Sequence, residues 1–577
     1  MKTKTRLTWV SVAFLSFSIA CCKVVPDADP RLKLFAAQKC QQTEELAAQL
    51  HLNVLPEVRK FYRAAEAGDW NAVSNLYARI QRITGMTNTS LCLPVTNVLS
   101  VPIHETVGAY DTFTHWDGTL LHEYADGILQ SIPAGSVYFG GTDPGRFVIT
   151  AFRDIANAPD IFIITPKFIV PKYGPVMSGN FSGVISGDLG TGYLDYLRLL
   201  YGGRLSVPAE TDGQAAIQQY AKDFKERRAS GEPVDPDEDV GLERGRVQVH
   251  GAKAAMNIDA IITQWIFDHN KDKHEFYIEE SFVIPWMFPY LEPHGLILKV
   301  NKEPRAQFDP GTIRRDRDYW DQLIAKLLAD PHFRGNEMAR KTYSKMRSAI
   351  GGVYAYRKLY EDAEYAYRQS IQLCSDSPEA NFRTSQLLLE IGRHDEAIQV
   401  LESYQKLDPA NSKIGLAIQQ IRSMKQSTAD IQELEKQLST QPHDFKLVAQ
   451  LAQAYLRMQQ FGRIQSLFDN FLAQPAVTAG AMLQIAQFYL SVNQTSLAVR
   501  TTEQATQRFP HEADPCYALA VIQAARGATN EALTALQHAI EINPAIHERA
   551  RNDQQFGPLR SNAQFQSLVT SPEPAKR

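Results

Sequence analysis

The chain has 577 residues, a formal net charge of -4, and 44% hydrophobic and 21% charged residues. These proportions are those of an ordinary globular protein, and the length predicts about two or three domains rather than one core. The slightly acidic balance argues against a general nucleic-acid-binding protein, whose surface would be basic. After the N-terminus, no apolar run reaches the roughly 18 residues of a membrane-spanning segment.

The N-terminus has the pattern of an export signal. Three basic residues precede the apolar run Leu7–Ala20, which is too short for a typical membrane-spanning helix. The run ends in an alanine before Cys21 and resembles a bacterial lipoprotein box, with Ser18 in place of the usual leucine. The resemblance implies that Cys21 is acylated and holds the protein at the bacterial cell envelope, in the periplasm or at the outer membrane. An ordinary cleaved signal peptide is the alternative.

The next stretch predicts helices. Residues 1–20 are interpreted as the signal peptide, 21–35 as a linker and 36–110 as a helical N-terminal region. Within that region, the pattern around Gly68 predicts that one helix ends there and another begins at Asp69. Residues 85–105 carry turn and strand signals instead, including two prolines.

The centre of the chain predicts a strand–loop–helix–strand unit. Ser136–Phe139 is rich in strand formers, and a tight glycine loop and an Asp-Pro pair follow it. We expect Asp143 to cap the next helix, which spans about residues 145–157, and Asp160–Thr165 to form the second strand. Open α/β sheets bind ligands at the carboxyl ends of their strands, so the loop marks the expected position of a site.

Further alternation of helices and strands predicts an α/β domain over residues 111–310, built of βαβ units with a mostly parallel sheet. The spans 193–201, 214–228 and 252–269 have helical patterns, whereas 285–294 is an aromatic turn or short helix and 230–246 an exposed loop. The remaining predicted strands are 204–208, 247–250, 275–282 and 295–300.

Several residues around the glycine loop are candidates for ligand binding. The loop could present its N–H groups to an anion or a sugar. Arg146 lies in the first helical turn, where a structural ion pair is the commoner role of an arginine. Glu279 and Glu280 are neighbours on a strand and face opposite ways, so at most one of them faces the site. The candidate set is Gly140, Gly141, Thr142, Asp143, Arg146, Glu280 and His294.

No known catalytic pattern accompanies these residues. The phosphate-binding GxxxxGK[ST], the zinc-binding HExxH and the serine-hydrolase GxSxG patterns are absent, and the cysteines form no CxxC pair. We therefore predict no metal and no cofactor, and we assign no catalytic residue. Binding is favoured over catalysis.

A repeat with a fixed period fills the C-terminal part. Small or aliphatic residues recur at spacings of 34, 34, 33, 34 and 34 residues, at Ala363, Ala397, Ile431, Ile464, Ala498 and Ala532. With the surrounding aromatic and proline positions, this pattern resembles the tetratricopeptide repeat, a helix–turn–helix unit. The resemblance implies an all-α solenoid over residues 336–547, with about six repeats. The copy around Ile414–Leu438 is degenerate, and residues 548–577 read as a capping helix and tail.

Repeats of this kind imply protein partners, which they hold in a concave groove. The corresponding positions in this chain carry mixed polar and aromatic side chains, so we do not expect a cationic clamp for a carboxyl terminus. They are Phe382, Gln386, Gln453, Arg457, Gln487 and Tyr517.

Residues 125–305 also resemble the soluble region of bacterial membrane proteins similar to protein O-mannosyltransferases. The segments that carry this resemblance are GSVYFGGTDPGRF, DIFIIT, YLDYLR and EFYIEES with YLEPHGLILKV. The membrane part that should hold the glycosyl-transfer chemistry of that family is absent. The layout as a whole resembles tetratricopeptide-repeat lipoproteins of bacteria.

Together these patterns predict a cell-envelope lipoprotein that acts as a binding or scaffold protein. Its α/β domain would take a partner, a glycan or another small ligand, and its repeats would bind proteins. Membrane contact would be through the lipid anchor only, and no nucleic acid is expected. The alternative function is an enzyme that acts on envelope glycans, with the Gly140–Gly145 loop as its site.

Overall fold

The computed structural model describes residues 29–84, 96–155, 160–166, 184–185, 192–230, 232, 234–235, 238–243, 246–279 and 284–570. The chain divides into two compact units, residues 1–415 and 416–577. This division falls inside a helix of the repeat region, and the domain boundaries expected from the sequence stay predictions.

The helices and strands are numbered in chain order. The helices are α1 (Pro30–Gln49), α2 (Pro56–Ala67), α3 (Trp70–Thr84), α4 (Thr96–His115), α5 (Gly118–Leu129), α6 (Ile149–Ile155), α7 (Tyr193–Tyr201), α8 (Glu210–Ala229), α9 (Ala252–Asn270), α10 (Pro310–Ala329), α11 (Pro331–Gly335), α12 (Glu337–Tyr356), α13 (Tyr360–Leu373), α14 (Pro378–Glu390), α15 (His394–Leu407), α16 (Ser412–Thr440), α17 (Phe445–Arg457), α18 (Phe461–Leu472), α19 (Ala479–Ser491), α20 (Thr495–Arg508), α21 (Ala513–Ala525), α22 (Thr529–Ile542), α23 (Ile546–Asn552) and α24 (Ala563–Val569). The strands are β1 (Val137–Gly140), β2 (Phe162–Ile164), β3 (Val184–Ile185), β4 (Asp239–Glu243), β5 (Arg246–His250), β6 (Phe276–Glu279), β7 (Leu291–His294) and β8 (Ile297–Val300).

The N-terminal helices follow the sequence pattern with two corrections. Gly68 has φ 80° and ends α2 in the left-handed conformation that glycine adopts without strain, as predicted. However, α1 begins at Pro30, inside the predicted linker, because the Asp29 carboxylate accepts from the N–H of Arg31 at 2.9 Å. The turn and strand signals are wrong for residues 96–105, which lie in α4. Burial of Val101 and Ile103 there outweighs the local effect of Pro102.

The main sheet has five strands in the order β2-β1-β6-β8-β7. The predicted strand–helix–strand unit is present, since β1 pairs with β2 in parallel and also with β6 in parallel. The sheet is nevertheless mixed rather than mostly parallel, because β8 runs antiparallel to β6 and to β7. The residues 285–294, predicted as a turn or short helix, contain both a 3-10 helix, Pro285–Tyr290, and β7. The two-residue connection after β7 can join only antiparallel strands.

A second, three-stranded antiparallel sheet has the order β3-β5-β4. Its strand β4 lies in residues predicted as an exposed loop, and it pairs with β5 along five residue pairs from Asp239–His250 to Glu243–Arg246. The predicted strand 204–208 is wrong. Within it, the N–H and the carbonyl of Ser206 both bond the side-chain amide of Asn270, at 2.8 Å each, instead of a neighbouring strand.

The repeat region consists of helix pairs in both units. The pairs are α12 with α13, α14 with α15, α17 with α18, α19 with α20, and α21 with α22. The predicted contact positions in the second helices are buried, with Ala363, Ala397, Ala498 and Ala532 at 0% exposure. A residue with positive φ lies in each turn between paired helices, and the five are Lys358, Gly392, Gln459, Asn493 and Gly527.

Two parts of the repeat region differ from the pattern. The degenerate copy is one helix of 29 residues, α16, so it contributes no helix–turn–helix pair. The predicted capping helix is instead α23, a 3-10 helix (Gln554–Leu559) and α24. Asp553 and Asn562 break the helix by accepting N–H groups of the next segments at 2.9 Å, from Gln555 and Gln564 respectively. None of the helices in the described ranges is long and apolar enough to cross a membrane.

Candidate functional site

The glycine loop closes around a carboxylate of the chain itself. Gly140 at the end of β1 pairs with Glu279 at the end of β6, and the N–H of Gly141 donates to the Glu279 carbonyl at 2.7 Å. The Glu279 carboxylate accepts from Thr142 N–H at 2.9 Å, Thr142 Oγ1 at 2.8 Å and Gly141 N–H at 3.3 Å. The loop therefore does present N–H groups to an anion, and in this structure the anion is Glu279.

Two glycines make this arrangement sterically possible. A Cβ atom on Gly145 would lie 1.8 Å from Glu279 Oε2, which no side chain tolerates. A Cβ atom on Gly140 would lie 2.9 Å from both the Arg146 Cα and the Gly145 carbonyl oxygen. The glycines are thus required by the fold of the loop around Glu279, which is itself 2% exposed.

The capping role predicted for Asp143 is wrong. Asp143 already has helical dihedral angles, φ -61° and ψ -46°, and its side chain accepts no N–H of the helix. The Thr142 hydroxyl takes that role by accepting from Gly145 N–H at 3.1 Å. Asp143 is instead ion-paired with Arg146, whose guanidinium lies 4.5 Å from the ring centre of Phe147. The first helical turn, Pro144–Val148, is a π turn that continues into α6.

Two buried tyrosines lie near the loop. Tyr138 donates its hydroxyl hydrogen to the Gly145 carbonyl at 2.9 Å, and Tyr124 is fully buried. Burial, with the nearby charge of Glu279 as a second cause, raises the pKa of Tyr124 well above its usual value. Its hydroxyl therefore stays protonated. The arrangement rigidly holds one carboxylate and leaves the charge of Asp143, whose side chain is 46% exposed, at the surface.

The remaining candidates are not brought together with the loop. His294 donates from Nε2 to the Ser131 carbonyl at 2.9 Å, and its ring centre lies 5.1 Å from that of Tyr277. Glu280 and Cys21 lie outside the described residues. Strand alternation predicts that only one carboxylate of the Glu279-Glu280 pair faces the loop, and the structure shows that Glu279 does. Its backbone pairing with Gly140 could not be read from the sequence.

A buried cluster of charges was not predicted from the sequence. Lys39 of α1 is 1% exposed and lies 2.6 Å from the carboxylate of Glu105 in α4 and 3.1 Å from that of Asp154 in α6. Burial alone would lower the pKa of Lys39, but the two carboxylates outweigh it and the pKa is raised. Arg153 also pairs with Asp154, through Nε at 2.7 Å. The cluster ties three elements together, and no local motif marks it.

Tyrosines of α7 cover the outer edge of the main sheet. Tyr201 accepts from Ile163 N–H at 3.1 Å, and Tyr193 accepts from Thr165 N–H at 2.7 Å. These bonds satisfy N–H groups of β2 and its following residue that a further strand would otherwise pair with.

Most of the predicted groove positions are on exposed parts of first helices. Gln386 in the first unit, and Gln453, Arg457 and Gln487 in the second, are exposed, whereas Phe382 is half-buried. Gln453 and Gln487 are 34 residues apart and occupy the same position in α17 and α19. Amide and guanidinium groups at these positions are able to donate hydrogen bonds to a bound chain.

Tyr517 is covered by the C-terminal segment. Its hydroxyl donates to Asp553 Oδ2 at 2.6 Å, and its ring centre lies 5.7 Å from that of Phe556 in the 3-10 helix. The guanidinium of Arg549 lies 4.1 Å from the same ring. Tyr517 is therefore 4% exposed and does not line an open groove.

Within the described ranges, no group of three or more His, Cys, Asp and Glu side chains could hold a metal ion.

Comparison with known proteins identifies the repeat. Residues 378–411, which include α14 and α15, match the family model of the tetratricopeptide repeat. The chain contains at least this one tetratricopeptide repeat. No curated protein matches the chain in sequence. Nothing in these comparisons supports the resemblance of residues 125–305 to protein O-mannosyltransferases.

Similar solved structures include MamA, with 14% identity, covering 36% of this chain and 95% of that chain, at a TM-score of 0.16. PilF from Pseudomonas aeruginosa has 16% identity, covers 34% of this chain and 94% of that chain, and gives a TM-score of 0.16. YrrB, described as a TPR protein with an unusual peptide-binding site, has 14% identity, covers 41% and 98%, and gives a TM-score of 0.16. Because TM-scores this low carry no argument, the function of this chain is inferred from the family match and the helix pairs alone.

Proposed function

We propose that this protein is a lipid-anchored scaffold of the bacterial cell envelope that holds a protein partner on the first helices of its repeats. The observation that carries the proposal is the series of helix pairs with a buried alanine or isoleucine at a constant position, one of which matches the tetratricopeptide repeat. Such pairs bury their apolar faces against each other and leave the first-helix face available for a partner.

The chemistry of that face favours an extended peptide. Gln453 and Gln487 are exposed, and each amide can both donate to a peptide carbonyl and accept from a peptide N–H. The exposed Arg457 adds a cation beside Gln453. Paired donors and acceptors recognise the main chain of a partner, and apolar neighbours such as Leu490, 37% exposed, would contact its side chains.

The scaffold role is tested by co-purification from envelope extracts. The wild-type chain is compared with a Gln453→Ala/Gln487→Ala double variant and with a matched Gln426→Ala/Gln437→Ala variant, whose exposed glutamines lie on α16. We expect a partner that wild type and the α16 variant retain and the first variant loses. Equal retention by all three chains would refute binding on the first-helix face.

Anchoring through Cys21 is the second part of the proposal, supported by the basic, apolar and Ala-Cys pattern of the N-terminus. Metabolic labelling with a fatty-acid analogue should mark the wild type and leave Cys21→Ser unmarked. Equal labelling of the two would contradict the anchor.

A glycan-directed enzyme has weaker support, because Glu279 occupies the N–H groups of the loop. Ligand binding there would require Glu279 to leave, or would depend on the exposed charge of Asp143. Calorimetry with envelope glycans on wild type and Asp143→Asn tests this alternative. A measurable affinity that the substitution weakens would favour it.

A further inference from the structure

A cationic cleft lies at the C-terminal end of α12, the first helix of the first repeat pair, and includes none of the six predicted groove residues. It has a volume of about 480 Å³ and is lined by Pro289, Pro304, Arg305, Ala306, Tyr356, Arg357 and Lys358. We call it the Arg305 cleft. Three of its lining residues are cations and none is acidic; Glu303, the adjacent acidic residue in the sequence, does not line it.

One of these charges belongs to Arg357, whose Nε, Nη1 and Nη2 atoms all donate to backbone carbonyls. Its Nη2 donates to the carbonyls of Phe288 and Pro289 at 3.1 Å and of Leu291 at 3.0 Å, and its Nε donates to the Arg305 carbonyl at 3.1 Å. These carbonyls position the guanidinium but do not neutralise its positive charge. Arg357 therefore contributes a positive field rather than a free hydrogen-bonding fork.

The other two cations are available to a partner. Lys358 is exposed at the turn between α12 and α13, and the Arg305 side chain is 51% exposed. Arg305 lies 3.5 Å from the carboxylate of Glu292, whose side chain is 19% exposed, and this separation is longer than that of a hydrogen-bonded ion pair. Glu292 also accepts from Asn301 at 3.1 Å and from Thr312 at 3.2 Å, so it keeps hydrogen bonds when Arg305 turns away.

The apolar part of the cleft distinguishes a peptide from a small anion. Tyr356 is 53% exposed, its ring is stacked on Phe288 at 5.1 Å, and two prolines complete the lining. A phosphate site would use convergent N–H donors, whereas in this cleft two separate flexible cations flank an apolar surface. Acidic side chains spaced along a peptide match that arrangement in charge and in apolar contact.

We propose that the Arg305 cleft binds an acidic segment of a protein partner. The cleft contains none of the predicted groove residues, so it adds a second contact to the scaffold, and its test does not depend on the face that carries Gln453 and Gln487. Its binding free energy comes from the Arg305 and Lys358 ion pairs, the field of Arg357 and packing on Tyr356.

The test uses the full chain and fluorescein-labelled hepta-glutamate, with hepta-glutamine as the uncharged probe, followed by fluorescence anisotropy. We expect hepta-glutamate to bind and hepta-glutamine not to bind. The Arg305→Glu/Lys358→Glu variant should lose about tenfold or more in affinity, and Arg305→Gln/Lys358→Gln several-fold. Circular dichroism checks that each variant is folded, and the milder glutamine pair serves if charge reversal beside Glu292 disturbs the fold.

Two single variants are the matched controls. Lys302→Glu changes an exposed cation of the same loop that does not line the cleft, and Lys446→Glu changes one on α17. Both should bind hepta-glutamate within about twofold of wild type. The proposal is overturned if the cleft variants bind like wild type, if either control loses as much affinity as they do, or if tripolyphosphate at equal concentration displaces the peptide from the cleft.

Discussion

The two compact units have different interiors. In the first unit, Lys39 is 1% exposed and Arg347 0%, and each is bonded to a carboxylate. Among the described residues 416–570, no lysine, arginine, aspartate or glutamate is buried, and the interior is mainly alanine, aliphatic and aromatic, with Thr501, Thr502 and Gln523 as uncharged polar residues. A buried charge is tolerated only when its oppositely charged or hydrogen-bonding partners are in place, whereas small apolar residues need only fit the space between the helices. The first unit therefore depends on specific distant pairs and the second on a repeated local fit.

The buried cluster around Arg347 is a second example of pairing between distant charges in the first unit. Arg347 in α12 donates to Asp316 in α10 at 2.7 Å and to Gln369 in α13 at 2.8 Å. Tyr354 donates to the same Asp316 oxygen at 2.8 Å, and Trp320 lies against the guanidinium at 5.2 Å. The first repeat pair is thus joined to the preceding helix α10 by buried polar groups.

The largest loss of stability is expected when a long side chain replaces an alanine at a helix–helix contact of the second unit. Ala498→Arg places a long cation at a position with 0% exposure, where no carboxylate among the described residues of that unit is buried to receive it. We expect a loss of about 4 kcal/mol or more in the free energy of unfolding of this unit, measured by urea denaturation. The matched variant Ser496→Arg, at an exposed position of the same helix, should change it by less than about 0.5 kcal/mol. Similar losses in both would mean that the repeat register is wrong.

Removal of the buried lysine should be the next largest effect. Lys39→Met deprives the carboxylates of Glu105 and Asp154 of their shared partner and should destabilise the first unit by about 3 kcal/mol. The exposed Lys60→Met is the control, with an expected change near zero. Adding Glu105→Gln to Lys39→Met should recover part of the loss, because it removes one unpaired charge. A double variant less stable than the single one would contradict the role of Lys39 as the shared partner of two carboxylates.

A smaller effect on stability, which varies with pH, is expected from His104 in α4. Burial lowers the pKa of His104 below its usual 6.5; the carbonyl of Ser100 opposes this shift and the charge of Arg146 adds to it. Because the folded pKa lies below the unfolded value, the stability that His104 contributes is complete above pH 6.5 and is lost as pH falls through the folded pKa. Between pH 7 and 5, the free energy of unfolding measured by urea denaturation should therefore fall by about 1 kcal/mol less in His104→Phe than in the wild type. An unchanged pH dependence of the free energy of unfolding would mean that groups other than His104 determine this dependence.

The smallest expected effect concerns backbone strain in the second unit. Gln459 has φ 55° in the turn between α17 and α18, where the corresponding turns at Gly392 and Gly527 have glycine. Side chains are disfavoured at such angles, so Gln459→Gly should raise the melting temperature, with a gain of about 0.5–1 kcal/mol. Gly527→Ala should lower stability by a similar amount. A destabilising Gln459→Gly would mean that Gln459 does not adopt the left-handed conformation in this turn.

The difference between distant pairs and repeated local contacts also explains which features could be predicted from the sequence. The repeats were located from Ala363, Ala397, Ala498 and Ala532 because each contact recurs at one local spacing. The parallel pairing of β1 with β2 was likewise predicted from a short local unit. In contrast, Lys39 meets Glu105 and Asp154, and Gly140 meets Glu279, across long stretches of chain with no pattern between them.

The candidate site was predicted only in part for the same reason. The N–H groups of the loop are bonded to Glu279 of the chain itself, and ligand binding at the loop stays a prediction. The contact with Glu279 depends on the pairing of β1 with β6, two strands that are more than a hundred residues apart in the sequence. Thr142 and not Asp143 accepts the free N–H of the helix, because a one-residue shift of the helix start decides which side chain does so.

Site-specific photo-crosslinking in cells tests the scaffold most directly. A benzoylphenylalanine residue is placed at Gln453 or Gln487 on the first helices, or at the exposed Ser496 or Arg463 on the second helices. If the first-helix face holds the partner, we expect the same discrete cross-linked protein from both first-helix positions and none from the second-helix positions. Cross-links from the second helices alone, or none from any position, would contradict a scaffold that binds through its first helices.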